Sequence, residues 1–302
     1  MGTPTLRQFR AFLAVIEAGS VSLAARALHL TQPAVSQQLR ELERAVGVRL
    51  LDRAAGRVIP NAAGTALLDP ARRAMAAAND AAVVAAEHGR GEMGRLRLGT
   101  GATACIHLLP PILARMKRAM PRLAVTVAIG NTAEILPRLE AGDLDIALVT
   151  LPVPASRALS VTRLLADPLL ALLPEAEAPA GDGPVTAKVL GRLPLILYEQ
   201  GGNTRAATDA WLRRAGATPQ PVMELGSVEA IKTLVGSGLG AAVLPALALR
   251  APVPGAVVRA LRPAASRELG IVLRREKVRD RGLRLLLAEL EQIAEGRERP
   301  DA

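Results

Sequence analysis

The chain has 302 residues, half of them apolar, and carries 38 Lys and Arg against 28 Asp and Glu, a formal net charge of +10. This length allows two or three domains with separate cores, and the apolar fraction excludes a disordered protein. One cysteine, Cys105, excludes an intrachain disulfide. Neither a signal-peptide core nor an uncharged apolar stretch of membrane-helix length is present. We therefore expect a cytoplasmic protein with no membrane partner, and the basic balance favours an anionic partner such as nucleic acid.

The first 60 residues are predicted to form three short helices and a two-stranded hairpin. Apolar residues recur at spacings of three and four in the first helix. Ser20 and Thr31 are suited to cap the second and third helices, and Pro33 is tolerated in a first turn. The predicted helices run from Leu6 to about Gly19, from Val21 to Leu28 and from Thr31 to about Val46, and the strands are Arg49–Arg53 and Arg57–Pro60.

From Asn61 to about His88 the chain is rich in alanine, with apolar residues in one stripe at helical spacing. This pattern predicts a long helix that Asn61 caps. A proline in a helix interior costs about 3 kcal/mol, so Pro70 predicts a kink or a new helix start at Asp69. The glycine-rich segment 89–94 then predicts a hinge between domains.

After Gly94, apolar strands alternate with helical segments, a pattern that predicts a mostly parallel sheet with crossover helices. The predicted strands are Leu96–Gly99, Leu123–Ile129, Ile146–Val149, Leu169–Leu173, Leu193–Tyr198, Val222–Leu225, Ala241–Leu244, Val257–Leu261 and Leu269–Leu273. The predicted helices are Leu108–Met120, Ala133–Ala141, Arg205–Ala215, Val228–Ser237 and Arg281–Glu295.

The predicted third helix has an apolar face and an opposite polar face. Glutamine and serine side chains on such a face can read base edges in a DNA major groove, and arginine can bind phosphate. Any surface helix also shows a polar face, so this pattern alone leaves both interpretations open. The residues of the polar face are Gln32, Pro33, Ser36, Gln37, Arg40 and Arg44.

A longer motif extends beyond this helix. Residues 31–39 read Thr-Gln-Pro-Ala-Val-Ser-Gln-Gln-Leu, and Leu42-Glu43, Gly47-Val48, Leu50-Leu51-Asp52-Arg53, Pro60 and Ala63-Gly64 follow. Over about residues 4–68 the chain resembles the LysR-type transcriptional regulators. The resemblance implies an α/β protein with an N-terminal all-α winged helix-turn-helix (residues 1–60), a linker helix (61–90) and a two-lobed effector domain like periplasmic binding proteins (91–302).

The resemblance also implies roles for individual residues and a double-stranded DNA partner. Gln32, Pro33, Ser36, Gln37 and Arg40 would face the major groove, and Arg53 and Arg57 of the wing would meet the DNA backbone or the minor groove. The linker helix would pair two chains antiparallel in a homodimer or homotetramer; the alternative is a helix packed on its own chain. The sequence departs from the family at Leu51, where Phe is more usual, and at Asn61-Ala62.

In that family the C-terminal region forms two lobes, here about 95–162 with 267–296 and about 163–266. Ligands in such folds bind beyond strand carboxyl ends, near helix N-termini. Hydroxyls, amides and one arginine at those points suit a small carboxylate or another oxyanion, although the same residues are ordinary helix caps. The candidate effector-binding residues are Thr100, Thr103, Asn131, Thr132, Asn203, Thr204, Arg205 and Ser227.

Other chemistry has little support in the sequence. We find no P-loop, no dinucleotide fingerprint, no metal-ligand spacing and no acid–base or nucleophile constellation, so we predict no enzyme, cofactor or metal. Cys105 lacks a second cysteine, which favours a structural thiol over a redox sensor. The competing hypothesis is a small-molecule-binding protein whose N-terminal helices serve only oligomerisation.

Overall fold

The computed structural model describes residues 2–54, 56–89, 94–214, 216 and 220–294, and of residues 83–89 the backbone alone. The chain divides into two compact units, and the division between them follows Gly89. The predicted hinge, residues 89–94, lies mostly outside the described residues. The two units are therefore described separately.

Among its described residues, the N-terminal unit contains four helices and a hairpin, and their bounds agree with the sequence predictions to within about two residues. Ser20 caps α2 and Thr31 caps α3, because each hydroxyl accepts a hydrogen bond from a backbone N–H of the first turn. The elements are α1 (Leu6–Ala18), α2 (Val21–Ala27), α3 (Gln32–Val46), β1 (Leu51–Ala54), β2 (Arg57–Pro60) and α4 (Ala62–Gly89).

The core of this unit lies between α1, α2 and α3. Phe12, Val35 and Leu42 are fully buried in it, and the small side chain of Ala24 lets α2 pack closely. His29 closes the turn between α2 and α3 with a positive φ of 54°, a conformation that histidine adopts more readily than most residues. No described helix is by itself long and apolar enough to cross a membrane; α1 and α2 pass that test only as a pair, which is bent by 118°.

Helix α4 runs without a break through Pro70, so the structure contradicts a new helix start at Asp69.

Asn61 caps α4 as predicted: its Oδ1 accepts from Gly64 N at 2.9 Å, and its Nδ2 donates to Arg49 O at 2.9 Å. A Cβ at Gly64 would lie 2.0 Å from Leu50 O, so only glycine allows the helix to start this close to the hairpin.

The C-terminal unit contains nine strands and seven α-helices among its described residues. Two 3-10 turns, Glu175–Glu177 and Ala246–Leu249, connect some of them. The elements are β3 (Arg95–Thr100), α5 (Ala102–His107), α6 (Leu109–Ala119), β4 (Ala124–Ile129), α7 (Thr132–Glu140), β5 (Ile146–Thr150), β6 (Leu159–Pro174), β7 (Val185–Thr186), α8 (Ala187–Leu190), β8 (Ile196–Tyr198), α9 (Asn203–Arg214), β9 (Met223–Leu225), α10 (Val228–Gly236), β10 (Ala242–Pro245), β11 (Ala256–Arg274) and α11 (Arg281–Ala294).

The sheet is mixed, so the prediction of a mostly parallel sheet is wrong. The main strand order is β10-β6-β11-β5-β3-β4, and β7 also pairs with β11. Strands β3, β4 and β5 run parallel, whereas β11 is antiparallel to both β5 and β6, and β10 is antiparallel to β6. The predicted short strands at 169–173, 257–261 and 269–273 are parts of the two long strands β6 and β11.

These long strands run through two lobes. Their pairing extends from Ala256 opposite Pro174 to Arg274 opposite Leu159, with register shifts between Ala260 and Ala265 and after Leu269. Lobe 1 contains β3–β5, α5–α7 and α11, with Leu96, Ile112 and Leu283 in its main core. Lobe 2 contains β7–β10 and α8–α10, with Leu173, Leu197 and Trp211 in one of its cores.

A buried charged cluster lies in lobe 1. The Asp145 carboxylate accepts from Arg97 Nη2 at 2.8 Å and from the Arg97 backbone N–H at 2.8 Å, and Lys277 Nζ lies 3.0 Å from Asp145 Oδ1. The Asp145 and Lys277 side chains are 4% and 2% exposed. Burial alone would raise the pKa of Asp145, but the hydrogen bonds from Arg97 and the charges of Lys277 and Arg97 outweigh it and hold the pKa below its usual value.

Candidate functional site

The structure places the predicted polar residues of α3 on a solvent-facing side of the helix. Gln32, Pro33, Gln37 and Arg40 are exposed, and Ser36 is half-buried. The opposite side of α3 fills the core, so the helix is held rigidly while this face stays accessible. An arrangement of this kind can present hydrogen-bonding groups to the edges of bases and a guanidinium to phosphate.

Glu41, which the sequence analysis did not single out, fixes the orientation of Gln37. The Gln37 amide donates from Nε2 to Glu41 Oε1 at 2.9 Å, and Gln8 of α1 donates to Glu41 Oε2 at 3.4 Å. Because a carboxylate only accepts, Gln37 turns its NH₂ group towards Glu41 and its Oε1 away. Residues four positions apart on a helix are neighbours, so the spacing of Gln37 and Glu41 could have predicted this contact from the sequence.

The hairpin carries the two predicted wing arginines, Arg53 and Arg57, and both are exposed. Arg57 lies over the turn between α1 and α2, because its Nε is 2.8 Å from where a Cβ of Gly19 would be. The Val58 N–H donates to Gly19 O at 2.9 Å and ties the hairpin to the same turn. Gly19 has a φ of 62°, so glycine suits this position both by conformation and by space.

A cavity of about 160 Å³ lies between the two lobes of the C-terminal unit. Six of the eight predicted effector residues line it: Thr103, Asn131, Thr132, Asn203, Thr204 and Arg205. The structure does not bring the other two there. Thr100 is fully buried and does not line the cavity, and Ser227 caps α10 by accepting from Ala230 N at 3.4 Å. The lining residues that the sequence analysis missed include Glu134, Thr150, Tyr198, Glu199 and Arg267.

Arg205 lines the cavity, but its charge is balanced within lobe 2. Its Nε donates to Asp209 Oδ1 at 2.9 Å, and its Nη1 donates to Glu224 Oε1 at 2.6 Å and to the Tyr198 carbonyl. This guanidinium is therefore committed to holding α9 against β8 and β9. The role of main cationic partner of a ligand, which the sequence predicts for Arg205, gains no support from this geometry.

Arg267 is the second arginine of the cavity and lies on β11. Its Nε and Nη2 donate to Asp167 Oδ2 at 3.0 and 2.8 Å, and its Nη1 donates to Thr204 Oγ1 at 2.9 Å. Both charged side chains are almost fully buried, at 6% and 1% exposed. Arg267 thus connects a long strand to the first turn of α9, at the wall of the cavity.

Polar contacts join the lobes on two sides of this cavity. Asn203 of lobe 2 donates from Nδ2 to Thr150 O at 2.5 Å, to Pro152 O at 2.8 Å and to Thr132 Oγ1 at 3.4 Å, all in lobe 1. His107 Nε2 of lobe 1 lies 3.0 Å from Glu229 Oε1 of lobe 2. These hydrogen bonds join the lobes in addition to the long strands β6 and β11, which run through both.

Two further groups bear on the chemistry of the cavity region. Burial raises the pKa of Tyr198 and outweighs the charge of Arg267 and the neighbouring Thr103 hydroxyl, which act in the opposite sense, so the hydroxyl stays a proton donor. Burial also raises the pKa of the Cys105 thiol, which disfavours the reactive thiolate. Within the part of the chain that the structure describes, no group of His, Cys, Asp and Glu side chains is arranged to hold a metal ion.

A winged helix-turn-helix, a long helix and a two-lobed α/β unit with a polar cavity define a class of protein, the ligand-responsive transcription regulators. Comparison with protein families agrees. The model for "Bacterial regulatory helix-turn-helix protein, lysR family" matches residues 6–65, and the model for "LysR substrate binding domain" matches residues 89–294. The chain belongs to the LysR family.

Relatives and solved structures support the same assignment. The transcriptional activator CmpR of Synechocystis sp. is 31% identical over 81% of this chain and 80% of its own length, and the regulator CbbR of Xanthobacter flavus is 33% identical over 94% and 84%. A full-length OxyR variant from Pseudomonas aeruginosa has a TM-score of 0.71 at 23% identity, covering 96% of both chains. CbnR in complex with its target DNA has a TM-score of 0.62 at 22% identity, over 96% of this chain and 99% of CbnR. The protein is thus a DNA-binding transcriptional regulator that a small-molecule effector modulates.

Proposed function

We propose that this regulator acts in the cytoplasm as a homodimer or homotetramer, reads its operator through Gln32, Pro33, Ser36, Gln37 and Arg40, and contacts flanking DNA through Arg53 and Arg57. We further propose that its effector carries a carboxylate or another oxyanion and binds in the cavity between the lobes. The residues Thr103, Thr132, Asn203, Thr204 and Arg267 would receive it. Arg205 would support the cavity wall.

One observation carries the effector part of this proposal: the cavity is lined from both lobes, beside the hydrogen bonds of Asn203 that join them. A ligand there contacts both lobes and competes or cooperates with those hydrogen bonds. A ligand shifts a conformational equilibrium only by its differential affinity for the two states, typically about 1–3 kcal/mol. Contacts from both lobes are the physical source of such a difference.

Two substitutions on α3 test the DNA-binding part, since they should act by different mechanisms. Gln37→Ala is expected to cost about 1–3 kcal/mol on the operator and to relax preference at one position of each half-site. Arg40→Ala is expected to weaken binding to all sequences and to reduce the salt dependence by about one phosphate contact. Gel-shift titrations on operator and unrelated DNA at two salt concentrations separate these outcomes. Wild-type affinity in both variants would reject this face of α3.

Glu41→Gln tests whether Glu41 positions Gln37. The new amide can accept or donate, so either orientation of the Gln37 amide is satisfied and its Oε1 is no longer held outward. We expect discrimination at the base read by Gln37 to fall by about 1 kcal/mol, roughly fivefold. The control is Glu17→Gln, which removes the same charge from an exposed site on α1. Competition titrations with operators altered at single positions measure the effect, and equal base preference in both variants would refute the positioning role.

A further inference from the structure

We propose that the ligand of the inter-lobe cavity is a zwitterion, a small molecule of amino-acid type that carries an ammonium group as well as its oxyanion. This inference rests on the proposed function, because it takes the cavity to be the effector site. It concerns two side chains to which the sequence analysis gave no role, Glu134 and Glu199.

The charges around the cavity are predominantly negative. Arg205 and Arg267 line it, but Asp209, Glu224 and Asp167 already balance them at hydrogen-bond distance. Glu134 and Glu199 line the same cavity, and neither forms an ion pair with any cation of the described chain. The lining therefore holds two arginines whose charges are already balanced and two carboxylates without an ion pair among the described residues, an arrangement that favours a ligand that includes a cation.

The two carboxylates without an ion pair in the described chain come from different lobes, and Glu134 Oε2 also accepts from the Asn131 N–H at 3.0 Å. Glu134 belongs to the first turn of α7 in lobe 1, and Glu199 directly follows β8 in lobe 2. Each lies back over a glycine: a Cβ at Gly130 would be 2.7 Å from Glu134 Oε2, and a Cβ at Gly226 would be 2.8 Å from Glu199 Oε1. Because both glutamates are exposed, they form the solvent-facing rim of the cavity.

The interior of the cavity has the opposite character. Its buried polar groups include the hydroxyls of Thr103 and Thr204, the Tyr198 hydroxyl and the Arg267 guanidinium, whereas the Thr132 hydroxyl already donates to Thr150 O at 2.9 Å. Proton donors and a cation in the interior suit an oxyanion, whereas carboxylates at the rim suit an ammonium. The polarity of the cavity therefore matches a ligand whose oxyanion enters first and whose ammonium stays at the mouth.

Matched ligands on the full-length protein provide the test. The probes are the proteinogenic amino acids, the carboxylic acid that each gives when its amino group is replaced by hydrogen, and the amine that each gives without its carboxylate. We expect calorimetric titration to find at least one amino acid that binds about tenfold or more tightly than its deaminated acid and than its decarboxylated amine. The reason is that the loss of one charged hydrogen bond lowers the affinity by about that factor.

The variants Glu134→Gln and Glu199→Gln, singly and combined, test whether the two rim carboxylates cause the preference for the amino acid over its deaminated acid. The combined variant is expected to bring the amino acid and its deaminated acid to within about threefold of each other. Glu177→Gln is the control, because it removes the same charge from an exposed residue that does not line the cavity. If a deaminated acid binds the wild type as tightly as its amino acid, or if the combined variant keeps the preference, the zwitterion proposal is overturned while the cavity remains an oxyanion site. If no probe binds, the zwitterion proposal is overturned as well, and the operator titrations with the α3 variants decide the DNA-binding function independently.

Discussion

Replacing Asp145 by asparagine is expected to lower the free energy of unfolding of the C-terminal unit by about 3–5 kcal/mol, because it removes the carboxylate charge that the buried Lys277 and the partly buried Arg97 share. Arg97 and Lys277 both contact the Asp145 carboxylate, and an amide supplies neither its charge nor its second acceptor. Urea unfolding followed by the fluorescence of Trp211, the single tryptophan of the chain, reports on this unit.

The matched control is Asp182→Asn, which breaks an ion pair with Arg259 in which the aspartate is 98% exposed. Exposed ion pairs contribute little to stability, so this variant should unfold nearly like the wild type. Equal unfolding midpoints for the two variants would show that the buried cluster does not stabilise the unit through its charges.

The same cluster predicts a dependence on pH. The pKa of Asp145 is lower in the folded protein than its ordinary value of 3.8, so its stabilising contribution is full above that value and is lost as the pH falls through the folded pKa. Unfolding curves of the wild type and of Asp145→Asn should therefore converge below about pH 4. Burial raises the pKa of Asp280 and the charge of Asp145 adds to this shift, so Asp280 gives a slope of the opposite sign that is weaker in Asp145→Asn.

Introducing glutamate at both Met75 and Ala78 of α4 is expected to convert the proposed oligomer into monomers and to weaken operator binding by about 100-fold or more. Both residues are half-buried in the isolated chain. In a paired helix they would carry like charges into the contact between two chains, where uncompensated charge is costly. A monomer reads one half-site, whereas a dimer reads two at a fixed spacing.

The control for this experiment is Ala77→Glu with Asn79→Glu, which adds the same charge at two exposed positions of α4. Sedimentation velocity measures the oligomeric state of each variant, and gel-shift titration measures operator affinity. A sedimentation coefficient unchanged by the Met75 and Ala78 substitutions would locate the contact between chains elsewhere than on this face of α4.

The N-terminal unit could be predicted closely because its signals are local. A hydroxyl before each of α2 and α3, and apolar residues at spacings of three and four, specify helices without knowledge of the rest of the fold. Asn61 was recognised as a cap for the same reason. The new helix start that Pro70 suggested is wrong, because the folded helix continues through this proline, although proline is unfavourable in a helix interior.

The long strands could not be predicted in the same way. Pro168 lies inside β6 and Pro263 inside β11, and proline is normally taken to end a strand. The register between these strands shifts from Ala260 to Ala265, so Pro263 falls in an interruption of the ladder. The antiparallel direction of β11 likewise depends on pairing with residues about one hundred positions earlier, which no local pattern encodes.

For the cavity, too, contacts between residues far apart in the sequence could not be predicted. Thr103, Asn131, Thr132, Asn203 and Thr204 line the cavity, because their positions follow from the order of elements, whereas Thr100 and Ser227 do not. The partners of Arg205 were not foreseen, since Glu224 reaches it only through the pairing of β8 with β9. Arg267 was missed because it lies within a strand, far in sequence from the Asp167 and Thr204 that it joins in space.

The chain crosses between the lobes twice, once on β6 and once on β11, and this affects how new ligand specificities can arise. Leu165 pairs with Leu269 and Ala166 with Glu268, so the chain leaves lobe 1 and returns to it at adjacent points on one ladder. Lobe 2 is thus a continuous insertion whose two ends are neighbours. A single recombination event could replace it whole, together with Tyr198, Glu199 and Thr204, while the sequences of lobe 1 and of the N-terminal unit stay intact. Half of the cavity wall would then change independently of the half that remains.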